Sequence, residues 1–476
     1  MSRKIVNVIK AIPLYLACFL IVLLVYKIFK FNEVTFEQIL YGLINTDGVS
    51  TSGIHEGAKV TLIFGTILFS LLLIILIKLK KSYFKYGNIL LILVLIVGLN
   101  SISFFTYIYN QFSTGDLYEK YYVDPRSVTI TFPDVKQNLI YIFLESTEMS
   151  NVSKDNGGAF EESYMPNLEK IALDNINFSN TDKLGGITQV YGTGYTTAGM
   201  VSQTSGINYK LKLDKNLFQR KYEEINGVTT LGDILLDNGY HNYLMLGSYK
   251  AYGGRGAYFK EHGDYQIFDY EYAIETSKID EDYYVWWGYE DNKLYSFAKE
   301  KLLEIASNGG PFNFTMLTVD THFTDGYLDN NCYDSGDSHY GSVFLCEDKM
   351  LGDFITWIKA QEFYDNTTII LVGDHLTMQS NFYKNIDKDY DRVVYNAIIN
   401  SRTNDSNSKN RLFTSMDMFP TTLASLGVDI PGDRLGLGVN LYSDELTLLE
   451  ELGYDKLNRE LSKKSNYYNN KFLIVK

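Results

Sequence analysis

Residues 138–146 read NLIYIFLES, residues 312–322 read FNFTMLTVDTH and residues 368–375 read TIILVGDH. Each is a short apolar run that stops at ionisable side chains: Glu145 in the first, Asp320 and His322 in the second, Asp374 and His375 in the third. Short continuous apolar runs of this length read as strands. Further strand candidates lie at 243–246 and 393–399, and segments of helical period at 165–174, 230–238, 292–307, 342–361 and 415–426. Strands alternating with helices predict an α/β domain around a central sheet flanked by helices. Open α/β sheets bind ligands beyond the carboxyl ends of their strands. Three strands ending in Asp, Glu or His, in a chain with only 6 histidines, therefore mark the expected site.

Working outward, the 476 residues carry 43 Lys+Arg against 57 Asp+Glu, a net charge of −14, with 7 Pro and 3 Cys. This composition excludes disordered, collagen-like, disulfide-rich and metal-finger classes. The acidic balance argues against nucleic acid, whose binding needs a basic surface. The mean hydropathy of −0.11 is that of an ordinary soluble chain, but it averages two unlike regions. The uncharged runs VTLIFGTILFSLLLIILI (60–77) and GNILLILVLIVGLNSISFFTYIY (87–109) are each long enough to cross about 30 Å of hydrocarbon as a helix. A first span is expected at about 11–31, with Lys27 and Lys30 snorkelling. The alternative for that segment, a cleaved signal peptide, lacks a small-residue cleavage site after it.

Arg3, Lys4 and Lys10 precede the first span, and Lys78, Lys80, Lys81 and Lys85 fill the loop between the second and third. Both belong on the cytoplasmic side, whereas the loop 32–57, with Glu33, Glu37, Asp47 and Glu56, fits outside. The expected organisation is a membrane domain at 1–109, a linker at 110–137 and an extracytoplasmic catalytic domain at 138–476. Cys332 and Cys346, 14 residues apart in a Gly/Asp/Ser/Tyr-rich segment, can bridge in an oxidising compartment, the alternative being two free thiols.

Glu145, Asp374 and His375 offer two hard oxygens and an imidazole, a set suited to Mn²⁺, Mg²⁺ or Zn²⁺. The stretch GTGYTTAGM (192–200) offers hydroxyls at a glycine-rich turn that starts a helix. A threonine there could attack phosphorus or sulfur, or simply cap the helix.

The series NLIYIFLES, GTGYTTAGM, LTVDTHFTDGY and GDHLTM, in that order, resembles the phosphoglycerol transferase branch of the alkaline phosphatase/sulfatase superfamily, which includes lipoteichoic acid synthase-like enzymes. The resemblance runs from about residue 122 to 441 and takes in RLGLG at 434–438. It implies a sulfatase-like fold in which Glu145, Thr196, Asp374 and His375 ligate one divalent ion, most simply Mn²⁺. Thr196 would be the nucleophile, with Thr193 and Thr197 the neighbouring alternatives. His322 would face the substrate phosphate and Arg255 would grip the phosphoglycerol headgroup. Gly253 and Ser248 depart from the lipoteichoic acid synthase pattern, which has a tryptophan and an acidic residue there.

The implied activity moves glycerol phosphate from phosphatidylglycerol, through phosphothreonine, to a glycan or glycolipid at the cell surface or in the periplasm. The alternatives are a phosphoethanolamine transferase, a sulfatase-like phosphodiesterase or hydrolase, and an inactive membrane-anchored surface protein. The C/S-x-P-x-R motif that carries the formylglycine of true sulfatases is absent.

Overall fold

A computed structural model describes residues 3–30, 34–44, 52–211, 225–334, 336, 338–379, 381–404 and 408–473. Phe31, Glu33 and Asp47, read above as part of the first span and the outer loop, lie outside the described residues. The chain divides into two compact units, one holding the apolar helices and the short segment Met378–Lys384, the other holding Gln111–Thr377 and Asn385–Lys476.

In the first unit, α1 (Arg3–Lys30), α2 (Phe36–Ile44), α3 (Ser52–Lys78), α4 (Tyr83–Ser101) and α5 (Phe104–Phe112) follow in order. Among the described residues three stretches, Ile5–Phe29, Gly57–Lys78 and Tyr83–Ser101, are long and apolar enough to cross a membrane. They pack through small residues: a Cβ on Gly87 would lie 2.7 Å from the backbone nitrogen of Leu14, so α4 meets α1 at a glycine. The run expected as one span over 87–109 is interrupted. Helix α4 begins at Tyr83, capped by Ser82, and ends at Ser101; Ser103 takes a left-handed φ of 57°, and α5 starts afresh at Phe104.

The second unit is built on six strands: β1 (Asn138–Leu144), β2 (His241–Leu246), β3 (Gln266–Phe268), β4 (Phe312–Leu317), β5 (Thr367–Gly373) and β6 (Asn396–Ile399), in the order β3-β2-β4-β1-β5-β6. All neighbours are parallel except β5 and β6. Every residue of β1 and β5 is buried, which accounts for their unbroken apolar runs. Flanking helices include α6 (Pro166–Asp174), α7 (Thr196–Ser205), α8 (Leu231–Asp237), α9 (Arg255–Glu261), α10 (Asp291–Ser307), α11 (His339–Lys359) and α12 (Met418–Ser425). The register sets Leu144 beside Gly373 and Phe143 beside Leu317. The chain therefore leaves β1, β4 and β5 at the same edge, delivering Glu145, Asp320–His322 and Asp374–His375 together.

Residues of the segment expected as a linker make ordered contacts within this unit. Thr114–Gly115 pairs with Lys464–Ser465, and Val123 exchanges two backbone hydrogen bonds of 2.8 Å with Gly436. Tyr118 is buried and donates to Asn208 Oδ1 at 2.6 Å. Cys332 and Cys346 form a disulfide with a Cα separation of 5.7 Å, while Cys18 is a free buried thiol.

Candidate active site

Thr196 is the first residue of α7, whose entry is set by the extended Tyr195. Its Oγ1 donates to Glu145 Oε2 at 3.2 Å and lies 3.5 Å from His375 Nε2. The helix reaches this position because Gly199, one turn on, rests against the strand-end backbone: a Cβ there would stand 2.1 Å from the carbonyl oxygen of Asp374. The other two threonines of the motif are turned elsewhere. Thr193 Oγ1 donates to the Val190 carbonyl at 2.8 Å, and Thr197 Oγ1 to that of Gly253 at 3.2 Å.

The carboxylates are held from behind. Asp374 Oδ1 accepts from the amides of Ser146 (2.7 Å) and His375 (2.8 Å), which leaves Oδ2 buried with no hydrogen-bond donor among the described residues. Glu145 Oε1 accepts from Ser146 Oγ at 2.6 Å. His375 donates Nδ1–H to the Leu376 carbonyl at 2.8 Å, a bond that fixes the tautomer and turns the Nε2 lone pair inward. Nε2 is 3.5 Å from Glu145 Oε1 and 3.4 Å from Asp374 Oδ2. The loop carrying His375 is braced by Gln189, which accepts from Leu376 N, and by fully buried Glu148, which accepts from Thr377 N and pairs with Arg392 through two bonds of 2.8 and 2.7 Å.

Electrostatically the group is unbalanced. Burial, and then the charge of Glu145, push Asp374 up to about 7. Burial also opposes ionisation of Glu145, but His322, His375 and the Ser146 hydroxyl outweigh it and hold that carboxyl below its ordinary range. His375 is raised, because the charges of Asp374 and Glu145 overcome its desolvation. Glu145, Asp374 and His375 each present a donor atom within 4.8 Å of the others. Two hard oxygens, an inward imidazole nitrogen and an orphaned carboxylate oxygen are what a divalent cation requires, so the residues fit one.

His322 lies half-buried on the loop after β4, and desolvation lowers its pKa below the ordinary imidazole value, against the pull of Glu145. Its Nδ1–H donates to the Phe323 carbonyl, and its ring packs on Trp287 with centroids 4.6 Å apart. Trp287 in turn meets Tyr252 at 5.4 Å, and the guanidinium of Arg255 lies over the Tyr252 ring at 5.1 Å. Arg255, at the start of α9, is buried and donates to Ser248 Oγ (3.0 Å) and to the carbonyls of Tyr249 (3.1 Å) and Tyr252 (3.0 Å). The paired glycines before it, Gly253 and Gly254, take φ of 63° and 73°, a conformation that favours glycine and makes the sharp turn into α9. Trp287 and Tyr252 were not anticipated. The WWG triplet at 286–288 was the available signal, but it lies remote in sequence from every catalytic motif.

A mostly parallel sheet, a threonine at a helix start and a carboxylate–imidazole group at the strand ends define an α/β protein with a candidate metal-binding site at its sheet edge. More narrowly, the Sulfatase family model matches residues 137–428, more than half of the chain, and the chain belongs to that family. It is 30% identical over 370 residues to phosphoglycerol transferase I of Citrobacter koseri, covering 74% of this chain and 46% of that protein. To phosphoglycerol transferase I of Escherichia coli K12 it is 31% identical over 327 residues, covering 67% and 40%. The chain thus spans less than half the length of these relatives. It shares its fold with the lipoteichoic acid synthase LtaP of Listeria monocytogenes, at 19% identity and a TM-score of 0.50 over 67% of this chain and 79% of that one.

Proposed function

We propose that the chain is a membrane-anchored phosphotransferase that takes glycerol phosphate from phosphatidylglycerol onto Thr196 and passes it to a hydroxyl of a cell-envelope glycan or glycolipid. The observation that carries this reading is the convergence of Thr196 Oγ1 on Glu145 and His375 at 3.2 and 3.5 Å. The names of the relatives supply the headgroup, and the three apolar helices supply a reason for a lipid donor: anchoring raises its effective concentration.

In the first half-reaction a bond forms between Thr196 Oγ1 and phosphorus, and the bond from phosphorus to the diacylglycerol oxygen breaks. The proton leaving Thr196 ends on the departing diacylglycerol hydroxyl. In the second, the acceptor hydroxyl bonds to phosphorus, the phosphothreonine bond breaks and Thr196 recovers a proton. Glu145, Thr196, Asp374 and His375 would hold a divalent ion, Mn²⁺ by preference, which when bound would neutralise charge and lower the hydroxyl pKa. His322, whose Nδ1 is bonded to the Phe323 carbonyl, is the residue we assign to take and return the proton through Nε2. Arg255, its planar guanidinium oriented by three acceptors, is the cation we assign to the headgroup phosphate. Topologically we place the catalytic unit outside the cytoplasm, as the Lys/Arg distribution and the disulfide both favour.

The test is release of diacylglycerol by the purified chain from phosphatidylglycerol and, separately, from phosphatidylethanolamine. Turnover of the first and not the second supports the proposal. Preference for the ethanolamine lipid, or release of free glycerol phosphate at the same rate with and without glycan, contradicts it in favour of the related transferase or a hydrolase.

A further inference from the structure

Trp287 belongs to a tight turn over residues 285–288. Val285 and Gly288 exchange two backbone hydrogen bonds, of 2.7 and 3.0 Å, and Tyr289 N donates to the Gly247 carbonyl at 2.9 Å. Gly288 approaches that carbonyl so closely that a Cβ would stand 2.1 Å from its oxygen. The turn is thereby fixed to the loop after β2, which carries Ser248, an acceptor of Arg255. Closing it puts Trp286 in the left-handed region, at a φ of 58°, an outlying conformation for so bulky a residue. The Trp286 indole N–H is also buried with no acceptor among the described residues. Backbone strain and an unpaired buried donor both oppose folding; they persist only where the surroundings over-determine them, and such places cluster at functional sites. What this turn displays is Trp287.

Trp287, Tyr252 and His322 are packed together, yet each is only half-buried, so the group stays partly open to solvent beside the candidate active site. Glu145, Asp374 and His375 are occupied with an ion and Arg255 with the phosphate, which leaves the two aromatic rings unassigned. The second half-reaction brings an acceptor hydroxyl to the phosphorus on Thr196, within reach of His322. The rest of the acceptor must then lie beside His322, whose recorded ring neighbour is Trp287 at 4.6 Å. A pyranose ring has an apolar C–H face and a rim of hydroxyls. An aromatic face matches the first and leaves the second to water and polar groups, and indole offers the largest such face.

We infer that Trp287, backed by Tyr252, is the acceptor subsite: a platform on which one pyranose ring of the glycan stacks with a hydroxyl directed at phosphorylated Thr196. The inference rests on the transfer reaction proposed above and adds the residue that selects its acceptor. A sugar suits the platform better than the glycerol of the donor, which has no ring face and is held through its phosphate.

The experiment loads the full chain in detergent with phosphatidylglycerol and Mn²⁺ and offers two kinds of acceptor: a panel of cello-, laminari- and maltopentaose, and free glycerol, which has hydroxyls but no ring. The readout is the ratio of transfer to the best pentasaccharide over transfer to glycerol, in which damage to Thr196, the ion or His322 cancels. The ratio should exceed one in wild type and fall at least about tenfold in Trp287→Ala and in Trp287→Leu, which keeps apolar bulk without an aromatic face. It should return to within about threefold of wild type in Trp287→Tyr, which restores a ring. If Trp287→Ala does not fold, the Leu and Tyr variants decide. A wild-type ratio of one or less, or a Trp287→Leu ratio equal to that of wild type even where both rates fall, would show that Trp287 only packs against His322 and overturn the proposal. Calorimetry of the same pentasaccharides against donor-free chain separates the platform from the reaction. Sugar binding that Trp287→Leu loses, in a protein that transfers nothing from phosphatidylglycerol, supports the platform and refutes the donor. No binding by wild type overturns the platform, and transfer with an unchanged ratio leaves the donor standing without it.

Discussion

Replacing Gly199 with alanine should disable the site without touching a reacting group. The added Cβ would stand 2.1 Å from the Asp374 carbonyl oxygen, 2.9 Å from its carbon and 3.4 Å from Cα. These are backbone atoms at the end of a fully buried strand, so no side chain can swing aside. The helix must retreat by about 1 Å before the contact becomes ordinary, and Thr196, three residues earlier on α7, retreats with it. Overpacking of this kind costs about 1–3 kcal/mol of stability, and misplacing a reacting atom by about 1 Å costs on the order of 10²-fold in rate. The assay is thermal unfolding together with diacylglycerol release from phosphatidylglycerol. Gly239→Ala is the control: its φ of +81° gives a strain of about 1 kcal/mol, but nothing lies within 4 Å of the new Cβ, so activity should hold. If Gly199→Ala kept both wild-type stability and turnover within twofold, the seating of α7 on Asp374 would be refuted.

Three further outcomes are expected. Arg255→Ala removes a charged fork that makes three recorded hydrogen bonds, and should lower kcat/KM by roughly 10–100-fold, the equivalent of about 1.5–3 kcal/mol for bonds to a charged group; an unchanged value would remove Arg255 from the headgroup site. The double change Cys332→Ser, Cys346→Ser should cost about 3 kcal/mol for a loop of about 15 residues, seen as a lower melting temperature that reductant no longer shifts. Asp417 is pushed up to about 6 by burial and by Glu450, itself paired with Arg411, against hydrogen bonds from Thr414 and Val439. Because its folded pKa lies above that of an unfolded aspartate, its contribution is complete below about pH 4 and is lost as pH rises through about 6, by roughly 3 kcal/mol. Asp417→Asn should flatten the fall in melting temperature across that window, and an unaltered slope would contradict the assignment.

The strand endings were legible because β1, β4 and β5 are buried on both faces, so their apolar runs stop where the chain turns into the site. The expected run at 312–319 overshot β4 by two residues, since Thr318 and Val319 are apolar enough to extend the pattern while their amides bond to Phe143 and Asp291 instead. Strand β3 was invisible: three residues, QIF, are too few for any periodicity. The break at Ser103 was equally hidden, because an uncharged run shows no difference between one helix and two. The packing of the linker was hidden because tyrosine and charge are common in exposed segments, whereas Tyr118 is buried and bonded to Asn208, 90 residues away. Trp287 escaped for the same reason: its neighbours come together only when the sheet order β2-β4-β1 is in place.

The most direct test of the central claim is the mass of the protein after a single exposure to phosphatidylglycerol with Mn²⁺ and no glycan. The account predicts a phosphoglycerol adduct that maps by peptide fragmentation to Thr196, is absent in Thr196→Ala and disappears when an acceptor glycan is added. An adduct on Thr193 or Thr197, or full turnover by Thr196→Ala, would contradict it.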